Sequence, residues 1–252
     1  MSNDRSGRAP APSHESIPSE APNGVASASS RAEIETFLTR VNALDHAAMR
    51  VGRGRLVFAL DATMSRQAAW DQACRLQADM FREAAAVGGL DIQLVYYRGF
   101  AECRASPWVA EPQRLGALMS RIDCREGPTQ IGKILGHARR ENEGGKVGAL
   151  VFVGDAMEES LDELCGAAGE LGLRNIPAFM FQEGYDPVCE HAFREIARLA
   201  HGAYCPFAPG AAHELSELLR AAAAYAAGGM KALAALEAQH NSGASRLIEQ
   251  LK

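Results

Sequence analysis

The 252-residue sequence lacks a long apolar run, a basic block and a paired-cysteine motif, and each absence narrows what it can do. Its opening stretch, MSNDRSGRAPAPSHESIPSEAPNG, has no apolar core of the length that a secretory signal needs. The most apolar late stretch, from Leu218 to Leu236, is mostly Ala and is interrupted by Arg220, Gly228, Gly229 and Lys231. No spanning segment is expected there, and no membrane partner. The formal net charge is −5 and no Lys/Arg cluster stands out, which argues against nucleic acid and anionic lipid. The six cysteines (Cys74, Cys103, Cys124, Cys165, Cys189 and Cys205) form no C-x-x-C pair. That excludes a zinc ribbon or disulfide scaffold and fits reduced thiols in a cytoplasm. Seven histidines are present without H-E-x-x-H or another metal-binding spacing.

What remains is an ordinary globular composition, 47% hydrophobic and 23% charged. Residues 1–29 are rich in Pro, Ser, Ala and Gly and read as a disordered tail. Ser30 and Glu33 form a capping box for an amphipathic helix over 30–50, with Ile34, Phe37, Leu38, Val41 and Leu44 on one face. A domain is expected over 55–227 and a helical tail over 228–252.

Within the domain the hydrophobic period alternates between that of buried strands and that of helices. Leu56–Leu60 (LVFAL) and Gly148–Val153 (GALVFV) are continuous apolar runs, the mark of strands covered on both faces. Further strands are expected over Ile92–Tyr97, Gly99–Cys103, Ile176–Phe181 and Ala203–Pro206. Helices are expected over Gln67–Val87, Pro112–Ile122, Gln130–Asn142, Leu161–Leu171, Pro187–Ala200 and His213–Ala227. The pattern predicts an α/β fold: doubly wound, with a mainly parallel central sheet, one short antiparallel edge strand and helices on both faces.

In such sheets functional groups collect beyond the carboxyl ends of the strands. Asp61 follows the first buried run and Asp155 the second. One aspartate at a strand end is explained by helix capping; two, after the two most apolar strands, invite a functional reading. Asp61-Ala62-Thr63-Met64-Ser65 alternates a carboxylate with two hydroxyls. Oxygen donors of mixed charge suit a hard divalent cation such as Mg²⁺ or Mn²⁺.

These residues resemble the metal-ion-dependent adhesion site of the von Willebrand factor A domain family. That family carries D-x-S-x-S after its first strand, a Thr in a later loop and an Asp closing its fourth strand. Asp61, Thr63 and Ser65 match the first motif, with Thr in place of the first Ser. Thr129, in Gly127-Pro128-Thr129-Gln130, and Asp155, in Val151-Phe152-Val153-Gly154-Asp155, match the others, although Thr-Asp-Gly is commoner at the last. The resemblance implies a non-catalytic, cation-dependent protein-binding module. Thr63 and Ser65 would bind the metal through their hydroxyls, Asp61 and Asp155 mostly through water, and Thr129 directly or through water. A partner carboxylate would fill the open position, within an intracellular multiprotein complex of the kind that family members form with AAA+ ATPases.

Three other readings compete. Gly127-Pro128-Thr129-Gln130-Ile131-Gly132-Lys133-Ile134 approaches a phosphate-binding loop, but Ile134 stands where Ser or Thr is needed and Pro128 removes a backbone donor. A haloacid-dehalogenase-type phosphatase would use Asp61 as nucleophile with Lys133 and Asp155, yet Thr63 replaces its general acid. The third is a metal-free scaffold of the same fold. Trp70 is assigned to the core, and Trp108 to the neighbourhood of the metal face.

Overall fold

The two most apolar runs of the sequence become the two central strands of one sheet. The computed structural model describes residues 53–63, 67–85 and 88–251. The tail over 1–29, the helix over 30–50 and Ser65 lie outside the described residues.

Strand β1 (Gly54–Asp61) has its last six residues fully covered, and β4 (Ala149–Gly154) is buried throughout. They pair in parallel, Leu56 with Ala149 through Leu60 with Val153. On the other side β1 pairs in parallel with β2 (Leu90–Arg98), in a register that sets Asp61 opposite Tyr97. The short strand β3 (Glu102–Ala105) adds antiparallel at that edge. Strands β5 (Ala178–Glu183) and β6 (Ala203–Phe207) extend the sheet in parallel beyond β4. The order is β3-β2-β1-β4-β5-β6, a mainly parallel sheet with one antiparallel edge strand. The strand expected from Gly99 begins instead at Glu102, because Gly99 adopts φ 58 and starts a turn that L side chains rarely enter.

Helices cover both faces. Alternation along β1 sends Leu56, Phe58 and Leu60 to one core and Val57 and Ala59 to the other. The first core is closed by α1 (Gln67–Ala85), α2 (Pro112–Met119), α6 (Ala212–Glu237) and α7 (Ser242–Ile248). The second is closed by α3 (Ile131–Glu143), α4 (Leu161–Leu173) and α5 (Pro187–Leu199). Each fully buried Phe or Leu contributes about 1.5–3 kcal/mol of transfer free energy, so both faces are needed to hold the sheet. Trp70 is buried, and its Nε1 donates to the Met119 carbonyl at 3.3 Å. Trp108 stacks under the Arg55 guanidinium at 4.0 Å and donates to Glu141. Arg55 stands at the start of β1, so Trp108 sits at the opposite end of the sheet from Asp61, a correction to its assignment near the metal face.

Gly229 (φ 62, ψ −155) kinks α6, and beyond the kink Leu233 and Leu236 return to the core. The Gln250 side chain then pairs with edge strand β6, accepting from Tyr204 N and donating to Tyr204 O, both at 2.9 Å. A free strand edge is thereby partly covered. Among the described residues no helix is long and apolar enough to cross a membrane.

Candidate metal centre

The chain leaves β1 toward β2 on one side, and leaves β4 toward β5 on the other. The loops after β1 and β4 therefore diverge and open a crevice at the carboxyl edge, the place where doubly wound sheets bind ligands. A cleft of about 210 Å³ lies there, lined by Asp61, Thr63, Thr129 and Asp155 together with Glu126 and Glu158. Four of the five residues expected at the site thus share one cleft. Ser65, the fifth, lies outside the described residues.

Local hydrogen bonds hold the first motif. The Asp61 carboxylate accepts from the Thr63 backbone N–H at 2.7 Å, folding the chain sharply after β1. Ala62 is bound on both sides, its N–H donating to Tyr97 O and its carbonyl accepting from Arg125 N, each at 3.0 Å. Asp61 and Thr63 are buried, at 2% and 8% exposure, which is costly for a carboxylate unless something compensates its charge.

The Thr129 loop is fixed from two directions. Gly127 packs so closely on Gly99 that a Cβ there would come within 2.1 Å of the Gly99 carbonyl oxygen. The Gln130 Nε2 donates to that same oxygen at 3.0 Å. From the β4–α4 loop, Glu158 Oε2 accepts from Thr129 N, and Thr129 Oγ1 accepts from Glu158 N, both at 3.0 Å. Glu159 accepts from Ile131 N and Gly132 N. Helix α3 has no cap from its own N-cap side chain, so this distant carboxylate meets its free N–H groups and its positive dipole end.

That capping bears on the phosphate-loop reading. The N–H groups of Thr129, Ile131 and Gly132 are already taken by carboxylates, which would repel a phosphate. Lys133 Nζ donates to Gln130 Oε1 at 2.7 Å and to the Ala101 carbonyl at 3.2 Å.

Tyr97 is fully buried beside Asp61. Burial, then the negative charge of Asp61, then that of Glu159 and Asp155, push its hydroxyl well above the ordinary value of 10. Tyr97 therefore stays protonated, and three carboxylates act on one buried point. Among the described residues no three His, Cys, Asp or Glu side chains converge closely enough to cage a metal alone. A cation here would rely on two aspartates, hydroxyls and water. The donor set fits that demand: oxygens only, two of them on carboxylates, in a cleft of excess negative charge.

Sequence reasoning singled out neither Glu158, Glu126 nor Tyr97. Only the strand register and the β4–α4 loop bring them to the cleft, although an Asp-x-x-Glu spacing from Asp155 to Glu158 was visible.

Neither a family model nor a curated relative matches the sequence. Solved structures do match by shape. One is a von Willebrand factor type A structure from Catenulispora acidiphila, 17% identical with a TM-score of 0.55, covering 70% of this chain and 43% of that one. A second is an aerotolerance-related membrane protein from Bacteroides fragilis, 16% identical with a TM-score of 0.53, covering 68% of this chain and 98% of the other. A third is proximal thread matrix protein 1 of the mussel byssus, with zinc in its adhesion-site (MIDAS) motif. It is 14% identical with a TM-score of 0.52, covering 68% of this chain and 46% of that one. This chain thus spans less than half of the length of the first and third structures.

Proposed function

The chain has the von Willebrand factor A fold, and we propose that it is a cation-dependent protein-binding module. Asp61, Thr63, Ser65, Thr129 and Asp155 would hold Mg²⁺ or Mn²⁺. The observation that carries this reading is the convergence of Asp61, Thr63, Thr129 and Asp155 on one cleft at the crevice between β1 and β4. When bound, the cation supplies the positive charge that lets a partner carboxylate approach an edge already lined by four acidic side chains.

The chain's own groups prepare that site. Asp61, oriented by Thr63 N–H, offers a buried negative charge. Thr129 is held in place by Glu158, and α3 is closed off by Glu159. The oxygen-only donor set at the crevice supports binding rather than catalysis as the reading we adopt. The zinc held by the mussel protein's motif supports a divalent ion on this fold.

We assign the module to residues 55–227, extended by the helical segment over 228–252, whose Leu233, Leu236 and Leu247 pack into the first core. No disulfide joins the six cysteines among the described residues, which supports a reducing, cytoplasmic setting. The partner we favour is a subunit of an intracellular complex, an AAA+ ATPase assembly among them. Affinity capture in Mg²⁺ and in EDTA, with wild type and Asp61→Ala, tests the reading. A partner retained by wild type in Mg²⁺ and lost in both other conditions supports it; retention unaffected by EDTA or by the substitution overturns it.

A further inference from the structure

We infer that Tyr97 is a positioning residue of the cation site, its buried hydroxyl serving as the donor that sets the Asp61 carboxylate from behind. The inference rests on the cation-dependent reading above and adds a residue outside the set Asp61, Thr63, Ser65, Thr129 and Asp155.

Strand register brings Tyr97 to this place. β1 and β2 pair in parallel with Asp61 opposite Tyr97. Val57 and Ala59 of β1 and Val95 of β2 belong to the second core, so alternation puts Asp61 and Tyr97 on that same face. Tyr97 is itself part of that core, at 0% exposure. Its ring stacks on Phe152 with centroids 6.1 Å apart, and Phe152 meets Phe193 edge-on at 5.5 Å. Aromatic packing therefore fixes where the hydroxyl sits.

That hydroxyl meets no hydrogen-bond partner among the described residues. A tyrosine hydroxyl sealed from water usually finds an acceptor, because an unmet buried donor destabilises the fold. Phenylalanine would give the same stacking without that cost, so packing alone does not account for a tyrosine here. Its surroundings do. The charges that act on it are carboxylates, Asp61 first, then Glu159 and Asp155.

A carboxylate offers about four acceptor positions on its two oxygens. Asp61 gives Oδ1 to the Thr63 N–H at 2.7 Å, which ties one oxygen to the loop. A second donor on the core side sets the plane of the carboxylate and leaves its remaining lone pairs for the cleft. Groups that orient a metal ligand in this way contribute about 10–100-fold to metal affinity. The stability forgone at a buried, unmet hydroxyl is then offset when the site is filled.

The test is calorimetric titration of the full chain with Mn²⁺, for wild type, Tyr97→Phe and the control Tyr96→Phe. Tyr96 packs against the opposite core, where it meets Trp70 edge-on at 6.0 Å. Tyr97→Phe should weaken Mn²⁺ binding roughly tenfold, while its metal-free Tm stays level or rises by about 2–4 °C. Tyr96→Phe should leave the affinity unchanged. Mn²⁺ should also produce a near-ultraviolet tyrosine difference signal in the wild type that Tyr97→Phe lacks. Equal affinity in wild type and Tyr97→Phe, an equal loss in Tyr96→Phe, or a difference signal that survives Tyr97→Phe overturns the inference and leaves cation binding standing. A weaker affinity joined to a lower metal-free Tm also overturns it, since the hydroxyl would then support the fold and not the site. Absence of Mn²⁺ binding by the wild type overturns the cation-dependent reading itself, and this inference with it.

Discussion

Thr129 and Glu158 exchange two hydrogen bonds across the cleft, each backbone N–H donating to the other's side-chain oxygen at 3.0 Å. Thr129 is buried and Glu158 is exposed, so the loop after β4 reaches over to fix a residue of the loop before α3. Glu158→Ala removes the acceptor of a buried N–H and should cost about 0.5–1.5 kcal/mol in urea unfolding. Glu158→Gln keeps an acceptor oxygen and should recover most of that loss. Equal losses in the two variants would show that charge, not the acceptor, holds Thr129.

Glu159 serves α3 in place of a local cap. Its carboxylate meets two of the free N–H groups at the start of the helix. Glu159→Ala should therefore destabilise the domain by about 1–2 kcal/mol, read as a lower denaturant midpoint with an unchanged slope. A neutral outcome would mean that water replaces the cap without cost.

The Gly99–Gly127 contact leaves no room for a methyl group. Gly127→Ala must push two backbones apart and should lower stability by about 1–3 kcal/mol in thermal unfolding. The same change at Gly166, where nothing lies within 4 Å of an added Cβ, is the control and should not destabilise.

His137 gives the domain a pH dependence with a defined sign. Burial lowers its pKa below the ordinary 6.5; Glu141, at 3.8 Å, opposes that shift and Arg140 adds to it. Its Nε2 meets the Gln93 Oε1 at 2.8 Å. The unfolded chain then binds the proton more readily than the folded one. The contribution is complete above pH 6.5 and is lost as pH falls through the depressed folded value. His137→Gln should flatten the stability profile below pH 6.5 in urea titrations across that range. An identical slope in the variant would assign the dependence to other groups.

Much of the fold was legible because two signals agreed. The apolar runs of β1 and β4 are too continuous for half-exposed strands, and both end in an aspartate. Together they placed Asp61 and Asp155 at one edge of a parallel sheet. Thr129 was legible from its position just before a helix. What escaped depends on contacts between distant segments. Glu158 and Glu159 look like ordinary acids ahead of α4 until the loop is seen against α3. Tyr97 looks like one more buried strand residue until register sets it opposite Asp61. Trp108 was misplaced because its position before a helix does not reveal which end of the sheet it meets; the Arg55 contact does.

In the proposed reading Asp61 and Asp155, with neighbouring hydroxyls, bind a divalent cation. Thermal unfolding of the full chain in a Mg²⁺ or Mn²⁺ titration tests it most directly, because a ligand that binds only the folded state raises stability by mass action. At a hundredfold excess over the dissociation constant the gain is about 2.7 kcal/mol, or roughly 5–10 °C for a domain of this size. Such a rise is expected in the wild type and should be absent in Asp61→Ala and Asp155→Ala. A flat wild-type response at millimolar metal, or an equal rise in the two variants, would contradict it.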